Sequence, residues 1–223
     1  MIRSEERDLR DGLLYDPYVK GFDSSFWKGD TANLLNDTVR NAIKVGDTGL
    51  VGSVSSYSQY LLGDFEFGLV LDSTTPDSND SAESRVVGLR NPGDTDQRGA
   101  VYFSFSHDTT VGDSFDSTRP FQIVRFDEYG NRQRKFVEWD TDWSGGGRTA
   151  RFRIIWEPNG INFLVNDTTV GFLSDRDTSN DSIRPVNESI PQALRITNRS
   201  LDTTDTNPTA FKYVNVRNAR KVI

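Results

Sequence analysis

In Glu138-Trp139-Asp140-Thr141-Asp142, acidic side chains stand at every second position, and strand alternation would set all three carboxylates on one face. Two carboxylates so placed can share the work of general acid and of nucleophile or base at a glycosidic bond. The segment ends in Asp and runs straight into Trp143 and a triglycine, so it reads as a solvated strand end rather than a catalytic pair. The same residues suit a second chemistry. An exposed aromatic beside Asp or Asn can stack on a sugar ring and bond its hydroxyls, which makes Trp139, Asp140, Asp142 and Trp143 the carbohydrate-binding candidates. The plainer alternative packs Trp139 in the core and lays Trp143 over a sheet edge.

Other chemistries find less material. His107 is the single histidine, and beside Asp108 it could form half of an acid/base pair, but no nucleophile accompanies it. The chain has no Cys, which removes disulfides, and with one His it cannot assemble a zinc site. Oxygen ligands for a harder cation are plentiful. Of the 33 acidic residues, 25 are Asp and 8 Glu, while the 26 basic ones divide into 20 Arg and 6 Lys. Net charge is -7, and an acidic coat of this kind argues against nucleic acid as a partner. Excess Asp with scarce Lys also matches proteins that work at high salt, where short carboxylates hold water and a Debye length of about 3 Å removes their repulsion.

Positioning such residues falls to strands. Apolar and polar side chains alternate in 64–72, where Phe65, Phe67 and Leu69 face one way and Asp64, Glu66 and Gly68 the other. Similar runs are expected at 39–46, 48–55, 84–90, 100–106, 121–127, 132–140, 150–157, 160–165, 168–173, 193–197 and 209–217. Between them lie Asp/Ser/Thr/Asn stretches such as 72–84, 107–119, 174–189 and 198–209, which read as solvated loops at the ends of a sandwich. A dozen short strands with almost no amphipathic helix describe an all-β antiparallel sandwich. Residues 1–20 form a charged arm that Pro17 keeps from continuing as a helix, and 21–223 form a single domain. No apolar run approaches the roughly 20 residues of a membrane span, and MIRSEERDLRDGLL lacks the apolar stretch of a secretory signal.

Three segments resemble concanavalin A-like lectins and glucanases. FDSSFWKG (22–29) looks like their first strand region, YLLGDFEFGLVLD (60–72) like their G-x-F-E strand, and ARFRIIWEPNGINFLVNDTTVGFL (150–173) like their Trp-ended hairpin, with Asn159-Gly160 at positive φ in the turn. The resemblance, which spans about residues 20–220, implies a jelly-roll β-sandwich. Glucanases of this kind carry an E-x-D-x-x-E cluster on one strand. The corresponding stretch here, AVYFSFSHD (100–108), has no carboxylate pair. Such folds often hold calcium, and Asp94 and Asp96, with Asp202–Asp205, are the candidate ligands.

These observations lead to the expectation of a non-enzymatic virion surface protein, a turret, decoration or tail component of a virus of a halophilic archaeon. The arm would join a homo-oligomer and other virion proteins, and the loops would meet host-surface glycans. The alternatives are a free carbohydrate-binding protein of a halophile, extracellular or cytoplasmic, and a glucanase-type hydrolase with an atypical site. Six N-x-S/T sequons, at Asn36, Asn79, Asn166, Asn180, Asn187 and Asn198, add glycosylation as an expectation for a surface protein.

Overall fold

A computed structural model of the chain describes residues 24–29, 34–38, 42–45, 51–61, 63–70, 85–90, 97–104, 121–138, 140–143, 148–174, 190–199, 210–220 and 222. The expected arm (1–20), His107, Asp108, Asp94, Asp96, Asp202–Asp205 and Trp139 lie outside the described residues.

Among the described residues fourteen strands follow one another: β1 (Trp27–Gly29), β2 (Leu34–Asp37), β3 (Ala42–Val45), β4 (Val51–Tyr60), β5 (Asp64–Val70), β6 (Arg85–Arg90), β7 (Val101–Ser104), β8 (Phe121–Phe126), β9 (Arg132–Val137), β10 (Thr149–Glu157), β11 (Gly160–Val165), β12 (Thr168–Ser174), β13 (Gln192–Arg199) and β14 (Ala210–Arg217). They form two antiparallel seven-stranded sheets, ordered β1-β4-β13-β6-β7-β8-β9 and β12-β11-β10-β5-β14-β3-β2. The crossed order, with β13 between β4 and β6 and β14 between β5 and β3, makes this an all-β jelly-roll sandwich.

The inward faces meet in an aromatic core. Phe103 of β7 packs edge-on against Phe152 (5.2 Å between centroids) and Phe163 (5.1 Å) of the opposite sheet, and stacks on its neighbour Phe121 (5.7 Å). Trp143 closes this group against Phe121 and Phe152. At the other end Phe65 bridges Tyr60 and Trp156. Edge-to-face pairs of this kind add to the burial of apolar area.

Two departures from the expected pattern have physical causes. β5 is buried on both faces, because the ring of Tyr213 lies across its outer side; a Cβ on Gly68 would come within 2.4 Å of that ring. The strand expected over 132–140 stops at Val137, where Asp140 takes over as a cap: its Oδ1 accepts the Asp142 N–H (2.9 Å) and its carbonyl the Trp143 N–H (3.0 Å), winding 141–143 into one 3-10 turn. The β10–β11 hairpin forms as expected, although its loop residues are Pro158 and Asn159, and positive φ falls on Gly160 alone (+150°). In the next hairpin Asn166 (φ 49°) and Asp167 (φ 66°) make the tight left-handed turn themselves. The short strands β1 and β2 were not read from alternation, since three or four residues hold too little of it.

Phe103→Ala removes a ring that contacts both sheets, so it is expected to destabilise the fold by about 3–5 kcal/mol. A urea titration followed by Trp fluorescence measures this.

Candidate functional site

β7 sits between β6 and β8 near one end of its sheet, with Phe103 turned into the core and Tyr102 and Ser104 turned out. Both outward side chains are buried, and Tyr102 belongs to a second apolar cluster with Val86, Ala100, Val124 and Phe126. β7 itself therefore presents no carboxylate, as its sequence requires.

Carboxylates and an exposed ring do meet two strands away. β9 is the edge of its sheet, and across the open side of the sandwich it faces β12, the edge of the other. A groove of about 610 Å³ opens there, lined by Lys135, Phe136, Val137, Glu138, Asp140, Trp143 and Val170. Three features set its shape. Gly171 lets β12 approach the opposite sheet, since a Cβ there would lie 2.4 Å from Ile123 Cδ1. Arg125, fully buried between the sheets, donates from Nε to Gln133 Oε1 on β9 and from Nη2 to the Ser174 carbonyl (3.0 Å) at the end of β12. Trp143 then anchors the 3-10 turn in the core, which leaves Glu138, Asp140 and Asp142 exposed around it.

Of the four carbohydrate-binding candidates, Asp140 and Trp143 line this groove. Asp142 is exposed on the adjoining turn, and Trp139 lies outside the described residues. Trp143 is only 8% exposed, too little to offer an open stacking face to a sugar ring. The exposed ring of the groove is Phe136, 39% accessible, which the sequence reading did not single out; Arg134 lies over it at 5.2 Å. Glu138, Asp140 and Asp142 do not alternate along one strand face, because the strand ends before them. The turn brings Glu138 and Asp140 to one groove instead.

A second polar cluster covers the outer face of the other sheet. Arg153 Nη2 bonds Asp64 Oδ2 (2.6 Å), its Nε lies 3.6 Å from Glu66 Oε2, and Tyr213 donates its hydroxyl to Glu66 Oε1 (3.0 Å). Arg151 and Arg153 both reach Asp167 in the turn beyond. Bonding to Asp64 holds the Arg153 guanidinium above its ordinary pKa despite its partial burial. Burial, and then the Glu66 charge, push the Tyr213 hydroxyl well above the usual tyrosine range. A guanidinium shared between both carboxylates offsets part of their charge, and the cluster ties β5, β10 and β14 together. Among the described residues no group of three or more His, Cys, Asp or Glu could hold a metal ion.

No protein-family model matches the chain. No curated protein matches it either. Solved structures do. The chain is similar to the β-glucanase of Bacillus licheniformis (TM-score 0.58, 13% identity, covering 92% of this chain and 98% of that one) and to the Crh5 transglycosylase (0.58, 12%, 92% and 83%). It is also similar to a glycoside hydrolase family 16 endo-glucanase from Bacteroides ovatus (0.52, 9%, 87% and 96%). At such identities the likeness is one of fold. It nevertheless corrects the expectation of a non-enzymatic virion surface protein: the similar structures are glucanases and a transglycosylase, and they carry no support for a turret, decoration or tail component. The non-enzymatic part of that expectation rested on one motif missing from 100–108, and absence at one strand says nothing about carboxylates gathered at another; the virion part rested on the acidic composition, the charged arm and the lack of a signal stretch.

Tyr213→Phe, which breaks the bond to Glu66, is expected to cost about 1 kcal/mol. The raised pKa means that the folded state holds this proton more tightly than the unfolded chain does. Its contribution is complete below pH 10, the ordinary tyrosine value, and is lost as pH rises above it. Urea midpoints measured at pH 8 and pH 11 should therefore fall less in Tyr213→Phe than in the parent.

Proposed function

We propose that this chain processes polysaccharide in the manner of a glucanase or transglycosylase, and that the groove beside β9 is its reaction site. One observation carries the proposal: two exposed carboxylates, Glu138 and Asp140, and an exposed ring, Phe136, converge on one groove of a sandwich similar to those of glucanases. In this reading Glu138 delivers a proton to the leaving oxygen, and Asp140, held in place by the Asp142 N–H, attacks the anomeric carbon or activates water. Phe136 supplies an apolar platform for a sugar ring, and Lys135 a donor for its hydroxyls. Departure from the glucanase motif on β7 makes this an atypical arrangement, with the carboxylates on a turn rather than a central strand. The carboxylate separation decides the stereochemistry: about 5–5.5 Å retains the anomeric configuration, and about 6.5–9.5 Å inverts it.

The Asp-rich coat supports the further proposal that the protein works at high salt. Its surplus of acidic residues is spread over the chain, so screening relieves repulsion in the folded state.

Incubation with laminarin or a mixed-linkage β-glucan is expected to release reducing ends or transfer products. Glu138→Gln should lower kcat by about 10²–10⁴-fold with little change in KM, and Asp140→Asn by a similar factor. Turnover that both variants leave intact, or wild-type binding without any cleavage, would count against the catalytic assignment. In a thermal melt the Tm should rise between about 0.1 and 2 M KCl; a falling Tm contradicts the high-salt reading.

A further inference from the structure

Arg125 has no role in the chemistry assigned above, yet it is fully buried. It stands on β8 in register with the core residue Val101 on one side and with Gln133 on the other, so its side chain points between the sheets. There its Nε donates to Gln133 Oε1 on β9 and its Nη2 to the Ser174 carbonyl on β12 (3.0 Å). β9 and β12 are edge strands of different sheets, laddered to β8 and to β11. The guanidinium is thus a strut across the open side of the sandwich. Farther along the same two strands stand the walls of the groove, Lys135 and Phe136 on β9 and Val170 on β12. Pairing of β11 with β12 steps from Phe163–Gly171 to Leu164–Thr169, which makes Val170 the extra residue of a bulge beside the groove. Its neighbour Gly171 lets the strands close, since a Cβ there would lie 2.4 Å from Ile123 Cδ1 and 3.6 Å from Lys135 Cδ.

We infer that Arg125 is a positioning residue for this groove, setting the distance between the wall that β9 supplies and the wall that β12 supplies. A guanidinium is planar and its N–H groups diverge at fixed angles, so acceptors on two strands are held at one separation. Apolar contacts would hold the same strands together and still let them slide. The strut is internal, so salt that screens surface charges leaves it intact, in keeping with the proposed high-salt setting. Glu138 and Asp140 are held by other means. Asp140 caps the 3-10 turn, and Trp143 pins that turn to Phe121 and Phe152. Loss of the strut therefore changes how the groove grips a glycan more than how the carboxylates act on the bond. The inference rests on the proposed polysaccharide-processing role and adds the residue that tunes its binding.

The test compares Arg125→Lys, which keeps the charge but loses the fork, with Gln133→Leu, which removes the β9 acceptor, and Gln133→Glu, which restores one. Kinetics on laminarin, calorimetry with a laminarin oligosaccharide and amide spectra of the unliganded protein are read for each. Arg125→Lys and Gln133→Leu are expected to raise KM and Kd about tenfold with kcat within about threefold, the signature of lost ground-state binding. Gln133→Glu should bind within about twofold of the parent, because a carboxylate accepts from the same N–H. In Arg125→Lys the Val170 amide, roughly 13 Å along β12 from Ser174, should shift while those of Asp142 and Trp143 stay. Ile43→Val, a core change on β3, serves as the control for general loosening: it should lower the Tm and leave Kd and the Val170 signal unchanged. Should Arg125→Lys fail to fold, the Gln133 pair carries the test. Unchanged KM and Kd, a fall in kcat as large as the rise in KM, or the same changes in Ile43→Val would overturn the inference. If the parent neither binds nor cleaves a glycan, the proposed function falls, and the Val170 signal then judges the strut by itself: a shift supports it and a fixed signal overturns it.

Discussion

The contact of Trp143 with Phe121 and Phe152 joins the core of this sandwich to its groove. Phe103, Phe121, Phe152 and Phe163 lock the two sheets face to face, and Trp143 extends that packing beyond the last residue of β9. An indole so well buried fixes the 3-10 turn to which it belongs. The turn in turn fixes Asp140, which caps it, and Glu138, which leads into it. The groove is thus an outgrowth of core packing, with carboxylates held by a turn whose hydrophobic anchor is inside the protein.

The same edge explains why the groove stays open. Elsewhere along the sandwich the sheets close on large apolar side chains. Between β9 and β12 the contact is made by a glycine, Gly171, and by a buried arginine, Arg125, that bonds one sheet's side chain and the other's backbone. A buried guanidinium is costly unless it is fully bonded, which makes this spacing specific rather than adaptable. On the opposite sheet Arg153 plays a different part: it pairs with Asp64 and approaches Glu66, which the Tyr213 hydroxyl also bonds, and so permits acidic side chains on a strand that Tyr213 covers. Acidic residues are thus tolerated where they are paired or solvated and absent from the strands of the other sheet.

Much of the fold was legible in the sequence, because alternation is a local property. Phe65/Phe67/Leu69 against Asp64/Glu66/Gly68 is the pattern of one strand and needs no knowledge of its neighbours. β1 and β2 were too short to show it. The site was legible only in part. Asp140 and Trp143 were among the four carbohydrate-binding candidates, but their roles depend on where the strand stops, and that was decided by an Asp side chain capping its own following turn. Lys135, Phe136 and Val170 could not be grouped from sequence, since β9 and β12 meet only through the closure of the two sheets. Arg153 and Tyr213 escaped for the same reason: each stands in a regular strand, and only the register between β5, β10 and β14 brings them to Glu66. Reading the lack of a carboxylate pair in 100–108 as a lack of activity tied function to one strand, whereas the fold offers an edge as well.

If glycan chemistry takes place at the groove beside β9, titrating a β-glucan oligosaccharide into the ¹⁵N-labelled protein should move the amide chemical shifts of that edge. The largest changes are expected on residues 134–143 and around Val170, with fast or intermediate exchange and saturation. Shifts centred on Asp64, Glu66 and Tyr213, or confined to 101–104 with β9 and its turn unmoved, would contradict that location.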